Sequence, residues 1–220
     1  MSDMKPPSRY SVSTGVEGEY EPGSDGRVLR NKLGITDPVA MDRAEYEALL
    51  RVQEKYYGII APETRFTTSL IRRMHRGFLG RIYEWAGRYR SVDLERDGFA
   101  WPPAYLVAQN MRLFGREVLA VRTPCKPGPL QRVAGDIAVV HAELLLVHPF
   151  RDGNGRLARL IADLMSLQSG YPALDFGFEN DSTASDEYIR AVGMGYARRY
   201  ERLTKLIAEA VGSSLKSLGR

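Results

Sequence analysis

Most of this chain repeats its apolar residues at steps of three and four, and one short stretch alternates instead. That contrast constrains the fold more than any other feature, because a period of 3.6 belongs to helices and a period of 2 to strands. A first helix is predicted from MDRAEYEALL, where Asp42 and Glu45 have capping-box spacing and Tyr46, Leu49, Leu50 and Tyr57 mark a stripe with Gln53 as its one lapse. A second follows Thr67 or Thr68, carries Leu70, Met74, Phe78 and Ile82, and ends near Gly87. Pro102 and Pro103 open a third, with Val107, Met111, Phe114, Val118 and Val121. A fourth carries Val133, Ile137, Val140, Leu144 and Val147, and a fifth, from about Gly155, carries Leu157, Leu160, Ile161, Leu164 and Met165. A last long helix is predicted from about Ser185 past Ile207, with Tyr188, Val192, Tyr196, Arg199 and Leu203 on one stripe. The exception is SVDLERDGFAW: Val92 and Leu94 alternate with Asp93 and Glu95, Asp97-Gly98 turns the chain, and Phe99 and Trp101 alternate again. The fold class is therefore mainly all-α, a helical bundle with one short β-hairpin. A hairpin alone is marginal, so it is expected to pack on helices with one edge open.

At 220 residues, 44% hydrophobic and 26% charged, the chain suits one soluble domain with its own core. Residues 1–40, rich in Gly, Pro, Ser and charge, read as a partly disordered arm; residues 41–212 form the domain and 213–220 a tail. A single cysteine, Cys125, excludes an internal disulfide framework and fits a reducing compartment. The N-terminus has no apolar signal region, and IAVVHAELLLV is too short and too polar to span a membrane. A bacterial cytoplasmic protein is expected, with export as an effector left open. The net charge of +4 would suit an anionic small ligand or nucleic acid and is too small to decide between them.

The chemistry concentrates in HPFRDGNGRLAR, His148 to Arg159, between the fourth and fifth predicted helices. Asn154 and Gly155 stand at a helix entry, where backbone N–H groups and the positive end of the dipole favour an anion. Arg156 and Arg159 lie one turn apart and present guanidinium forks suited to phosphate oxygens. Asp152 supplies a hard oxygen for Mg²⁺. His148, held before a proline, is a general base for near-neutral pH. A histidine at a helix end, a Gly-Asn-Gly turn and a solvated arginine pair are each ordinary alone. Together they describe a nucleoside triphosphate held by its phosphates beside a base.

This stretch resembles the signature of the Fic family, His-x-Phe-x-(Asp/Glu)-Gly-Asn-Gly-Arg-x-x-Arg, at every specified position. MHRGFLGRIYEWAGRYR is similar to a helix end of that family, SVDLERDGFAW to its target flap, and YEPGSDGRVLRNKLGI to the arm of bacterial Fic toxins, so the likeness covers roughly residues 20 to 200. The resemblance implies a Fic-type bundle that transfers AMP from ATP to a Ser, Thr or Tyr hydroxyl of another protein. His148 would deprotonate the hydroxyl, and Asp152 would hold Mg²⁺. Gly153, Asn154, Gly155 and Arg156 would cradle the α- and β-phosphates, and Arg159 would meet the γ-phosphate. Phe150 would anchor the loop, and Tyr188 would line the nucleotide pocket. The flap, including Val92, Asp93, Leu94, Gly98 and Phe99, would pair its open edge with an extended target segment.

His75 is expected to be a packed structural residue and His141 to sit at the boundary of its apolar stripe. Transfer of UMP or of phosphate is the enzymatic alternative; the death-on-curing toxins of this fold typically carry lysine where this chain has Gly155. A nucleic-acid-binding bundle, with RRMHRGFLGR as its basic run, is the non-enzymatic one; a solvated helix face accounts for that run better. By resemblance the chain would be the toxin of a toxin–antitoxin pair, with type II topoisomerase subunits (DNA gyrase, topoisomerase IV) as candidate targets and a small helical antitoxin as partner. The family's inhibitory pattern, Ser/Thr-x-x-x-Glu-Gly/Asn, is matched on paper by STGVEG, so Ser13 and Glu17 are candidate inhibitory residues, with the glutamate expected to meet Arg159. Glycines at positions 15 and 18 disfavour a helix there, which favours an antitoxin in trans.

Overall fold

Helix α1, Pro38–Ile59, begins three residues before the predicted start, because Asp37 is the cap: its side chain accepts the Ala40 N–H at 2.8 Å and a proline follows at the first helical position. The computed structural model describes residues 11–12, 16–176 and 182–219. After α1 come α2 (Thr68–Leu79), strands β2 (Leu94–Arg96) and β3 (Phe99–Ala100), α3 (Ala104–Leu113), α4 (Ala120–Arg122), α5 (Leu130–Val147), α6 (Asn154–Gln168), α7 (Ser182–Gly193) and α8 (Glu201–Leu218). Strand β1 (Ser11–Val12) lies in the arm.

The centre of the bundle is α5, buried on nearly every side from Val133 to Val147 and packed against α6 and α8. Its environment explains why its apolar residues exceed one stripe. α1 packs on α2, and the segment after α2 returns to both, Tyr83 O–H donating to Glu45 on α1 and Gly87 N–H to His75 on α2.

Several sequence expectations need correction. The stripe assigned to α1 is the wrong one: Tyr46, Leu50 and Tyr57 are exposed, while Met41, Glu45, Ala48, Val52 and Tyr56 face inward. Apolar periodicity misses that face because it includes a carboxylate whose charge is met inside the fold. Glu45 is therefore not a capping residue. α2 stops at Leu79, and Ile82 is buried from a turn rather than from the helix. Val121 is exposed because a π-helical turn, Phe114–Leu119, shifts the phase of the third helix. The long last helix is interrupted: α7 gives way to a 3-10 turn, Met194–Ala197, and Arg198 adopts a left-handed backbone at φ 56°. Gly195 permits the close approach there, since a Cβ would lie 2.9 Å from Leu146 Cδ1. The residues expected as a tail continue α8 to Leu218.

The hairpin forms as predicted, with Asp97 and Gly98 both at positive φ (53° and 78°), as a two-residue turn of this hand requires. One of its two outer edges, that of β2, is occupied. β1 pairs antiparallel with β2, Ser11 opposite Glu95 and Val12 opposite Leu94, giving a three-stranded order β1-β2-β3. The sheet rests on a small cluster of Val92, Leu94 and Trp101. Among the described residues no helix is long and apolar enough to cross a membrane.

Candidate active site

α5 ends where His148 takes a left-handed backbone, φ 50° and ψ 61°, and donates its N–H to Leu144 O at 3.0 Å. Such a conformation is uncommon for a residue other than glycine. Arg90 helps to hold it. The Arg90 guanidinium is buried and spans three carbonyls: His148 O at 2.8 Å through Nε, Val92 O at 2.9 Å and Pro102 O at 2.5 Å. Its backbone N–H donates to Pro149 O at 2.9 Å. One side chain thus joins the histidine turn to both ends of the flap.

The His148 ring lies 4.1 Å from the Trp101 ring, and both rings donate to one acceptor, Leu145 O, each at 3.1 Å through His148 Nδ1 and Trp101 Nε1. With the proton on Nδ1, Nε2 carries the lone pair that a base requires. Burial pushes the His148 pKa down to about 4, so the ring is neutral at physiological pH.

The loop after His148 is fixed from inside. Phe150 is fully buried and stacks on His75 with centroids 3.8 Å apart. His75 Nδ1 accepts the Gly87 N–H at 2.8 Å, which leaves the Nε2 proton to donate to Asp152 O at 2.9 Å. Asn154 spends its amide on Phe150, accepting its N–H at 3.0 Å and donating to its carbonyl at 2.7 Å. Asn154 therefore shapes the loop through its side chain and offers an anion its backbone N–H. Gly153, at φ 81°, is the cap of α6, and a Cβ on it would stand 3.0 Å from Leu79 Cδ1 and 3.3 Å from Phe78 Cε1. Glycine is required on both counts. The first helical bond of α6 runs from Leu157 N–H to Gly153 O, so the N–H groups of Asn154, Gly155 and Arg156 precede the ladder and form the anion-binding end.

The two arginines do not share one setting, although one turn separates them. Arg156 turns inward over the Phe78 ring and pairs with Glu45 at 2.5 Å and Asp152 at 3.3 Å. The same Glu45 accepts the Tyr83 hydroxyl proton at 2.6 Å. Arg159 acts electrostatically on Tyr188, whose hydroxyl meets His141 Nε2. Tyr188 is buried, with Phe176 and His141 packed edge-on against its ring. His141 is fully buried rather than at a boundary, and its Nδ1 meets Ala158 O at 3.1 Å.

Asp152 contributes one buried carboxylate beside the anion-binding end, and among the described residues no group of three or more acidic, His or Cys side chains is arranged for a metal. One carboxylate suits an ion such as Mg²⁺, which keeps waters and takes its remaining ligands from substrate phosphates. Glu17 accepts the Ser91 N–H at 3.0 Å through its carboxylate, and its carbonyl accepts from Arg151 Nε at 2.8 Å. Its described contacts are thus with the flap base and Arg151, not with Arg159. Ser13 lies outside the described residues. In the basic run, Met74, His75, Phe78 and Leu79 are buried, and Arg72 bonds Gly87 O at 3.0 Å and covers the Tyr89 ring, so four of its ten residues belong to the interior.

Arg90, Trp101, Glu45 and the placement of His75 were not legible as site features. Arg90 and Trp101 flank the hairpin in sequence, and that position was the one available signal.

The fold and site define a class: mainly α bundles with a histidine-headed anion loop between two core helices and a hairpin clamped to that histidine. The chain belongs to the Fic/DOC family, whose model matches residues 65–166. It is 31% identical over 150 residues to the probable protein adenylyltransferase y4lH of Sinorhizobium fredii, covering 66% of this chain and 73% of that one. It is 27% identical over 157 residues to protein adenylyltransferase VbhT of Bartonella schoenbuchensis, covering 70% of this chain and 32% of the relative. The chain thus spans about a third of the length of VbhT. Among solved structures, the BepC effector protein of Bartonella tribocorum, with bound AMPPNP, matches at a TM-score of 0.69 and 20% identity over 83% of this chain and 91% of that one.

Proposed function

We propose that the protein is a protein adenylyltransferase that moves AMP from ATP to a Ser, Thr or Tyr hydroxyl of another protein. The observation that carries this reading is His148, neutral and with its lone pair on Nε2, at the lip of the Gly153-capped helix end. The names of VbhT and y4lH agree with it.

In the reaction so proposed, the target hydroxyl oxygen attacks the α-phosphorus while its proton passes to His148 Nε2. A phosphodiester to AMP forms, the bond from the α-phosphorus to the bridging oxygen breaks, and pyrophosphate leaves. Backbone N–H groups of Asn154, Gly155 and Arg156 would receive the phosphate oxygens. Arg159 would meet the γ-phosphate. Asp152 would hold Mg²⁺, which supplies charge compensation on the phosphates.

Gly155 supports AMP over phosphate transfer. A Cβ there would lie 3.6 Å from Arg159 Nη1, so a lysine at this position would crowd a second cation into the arginine's space. Labelling a bacterial lysate with ATP marked at the α- or γ-phosphate separates the two. Label on protein from the α-phosphate alone is expected, and label from the γ-phosphate alone would reverse the assignment.

The resemblance to bacterial Fic toxins supports essential bacterial proteins as targets, with topoisomerase subunits first to be examined, and an antitoxin supplied in trans. Mass spectrometry of the labelled bands tests the former. The isolated chain labelling a lysate without a partner supports control in trans, and a silent chain awakened by Glu17→Gly would establish control in cis.

A further inference from the structure

We propose that the chain's own arm, at Ser11–Val12, occupies the flap edge that a target segment needs, so that a target must displace it. This inference rests on the adenylyltransferase reading. The flap offers two outer edges. The one on β3 belongs to a strand whose Phe99 ring is engaged with Trp101 and Tyr196 at 5.0 and 5.6 Å. The one on β2 starts at Leu94, four residues after Arg90, whose side chain holds His148 O and whose N–H holds Pro149 O. A segment laid along β2 is therefore led toward the catalytic histidine. That edge is the one β1 takes, in antiparallel register with Glu95 and Leu94.

The arm is secured a second time at the flap base. Glu17 caps the Ser91 N–H and ties its own carbonyl to Arg151, which is buried in the catalytic loop. Both anchors use the main-chain groups through which an extended target would add to the sheet. The arm thus competes for the target's place, by a contact different from a glutamate at Arg159.

The test is a reversible lock in the full chain. Residues directly opposite in an antiparallel pair have Cα atoms about 4.5–5.5 Å apart, within the span of a disulfide. Ser11→Cys with Glu95→Cys should therefore crosslink on oxidation, and native Cys125 is buried away from this exchange. Oxidation is expected to lower α-phosphate labelling of a lysate at least tenfold, and reduction to restore it, while the wild-type chain and Ser11→Cys alone ignore the oxidant. Glu17→Ala, which frees the Ser91 N–H, is expected to raise labelling severalfold at limiting target concentration and to leave it unchanged at saturation. Equal labelling by the oxidised and reduced double variant would overturn the proposal, as would failure of the crosslink to form. If the wild-type chain transferred no label from the α-phosphate under any condition, the adenylyltransferase reading itself would fall.

Discussion

His148 can serve as a base only while its ring is neutral, and burial holds its pKa at about 4 against an ordinary value of 6.5. The rate should therefore stay level as pH falls from 8 to about 5 and decline as pH falls through the folded pKa. Initial rates with one purified target, taken before any acid unfolding, measure this limb. A decline centred near 6.5 would contradict a buried neutral base. Arg90 makes a second prediction at this scale. A lysine is a point charge and cannot span three carbonyls, so Arg90→Lys releases the flap and the His148 turn together. A fall in kcat of about tenfold and a rise in target KM are expected, with the KM for ATP unchanged; tenfold corresponds to about 1.4 kcal/mol. Loss of active protein alone would lower kcat and leave the target KM as it was.

The elements owe their positions to pairs that periodicity does not register. α1 and α6 meet through Glu45 and Arg156, whose side chains are 4% and 17% exposed. Glu45→Ala would bury Arg156 with only the longer Asp152 contact and strand the Tyr83 hydroxyl. A loss of about 3 kcal/mol is expected in urea unfolding, and a loss below about 1 kcal/mol would show that the pair is solvent-screened. The hairpin, the helices around Val107–Phe114 and Val133–Val147, and the HPFRDGNGRLAR loop were legible because local spacing alone specifies them. The buried face of α1 was not, because its inward glutamate is made tolerable by a residue over a hundred positions away. Nor was the break at Gly195, which answers to Leu146 on another helix. β1 escaped for a related reason: two residues carry no period, and only pairing with β2 makes them a strand.

The whole molecule buries three histidines, His75, His141 and His148, each with its pKa lowered to about 4, mainly by burial. The unfolded chain protonates these groups near 6.5 and the folded one only near 4, so proton uptake favours unfolding between those values. Their stabilisation is complete above pH 6.5 and is lost as pH falls toward 4, by up to roughly 1.4 kcal/mol per pH unit for each group. Asp163 acts oppositely: burial raises it from 3.8 to about 6, so its contribution to stability is lost as pH rises between those values, but one carboxyl does not offset three imidazoles. Thermal unfolding should show Tm falling steadily from pH 6.5 to 4.5, and a Tm that is flat or rises over this range would contradict the buried histidine set. The central claim, that this bundle attaches AMP to protein hydroxyls through His148, is tested most directly by peptide mass spectrometry. A lysate is treated with ATP and Mg²⁺ and either the wild-type chain or His148→Ala. An AMP phosphodiester on Ser, Thr or Tyr is expected with the wild-type chain, reduced about a hundredfold or more by His148→Ala. Phosphate alone on those residues, no modification, or AMP transfer undiminished by His148→Ala would contradict it.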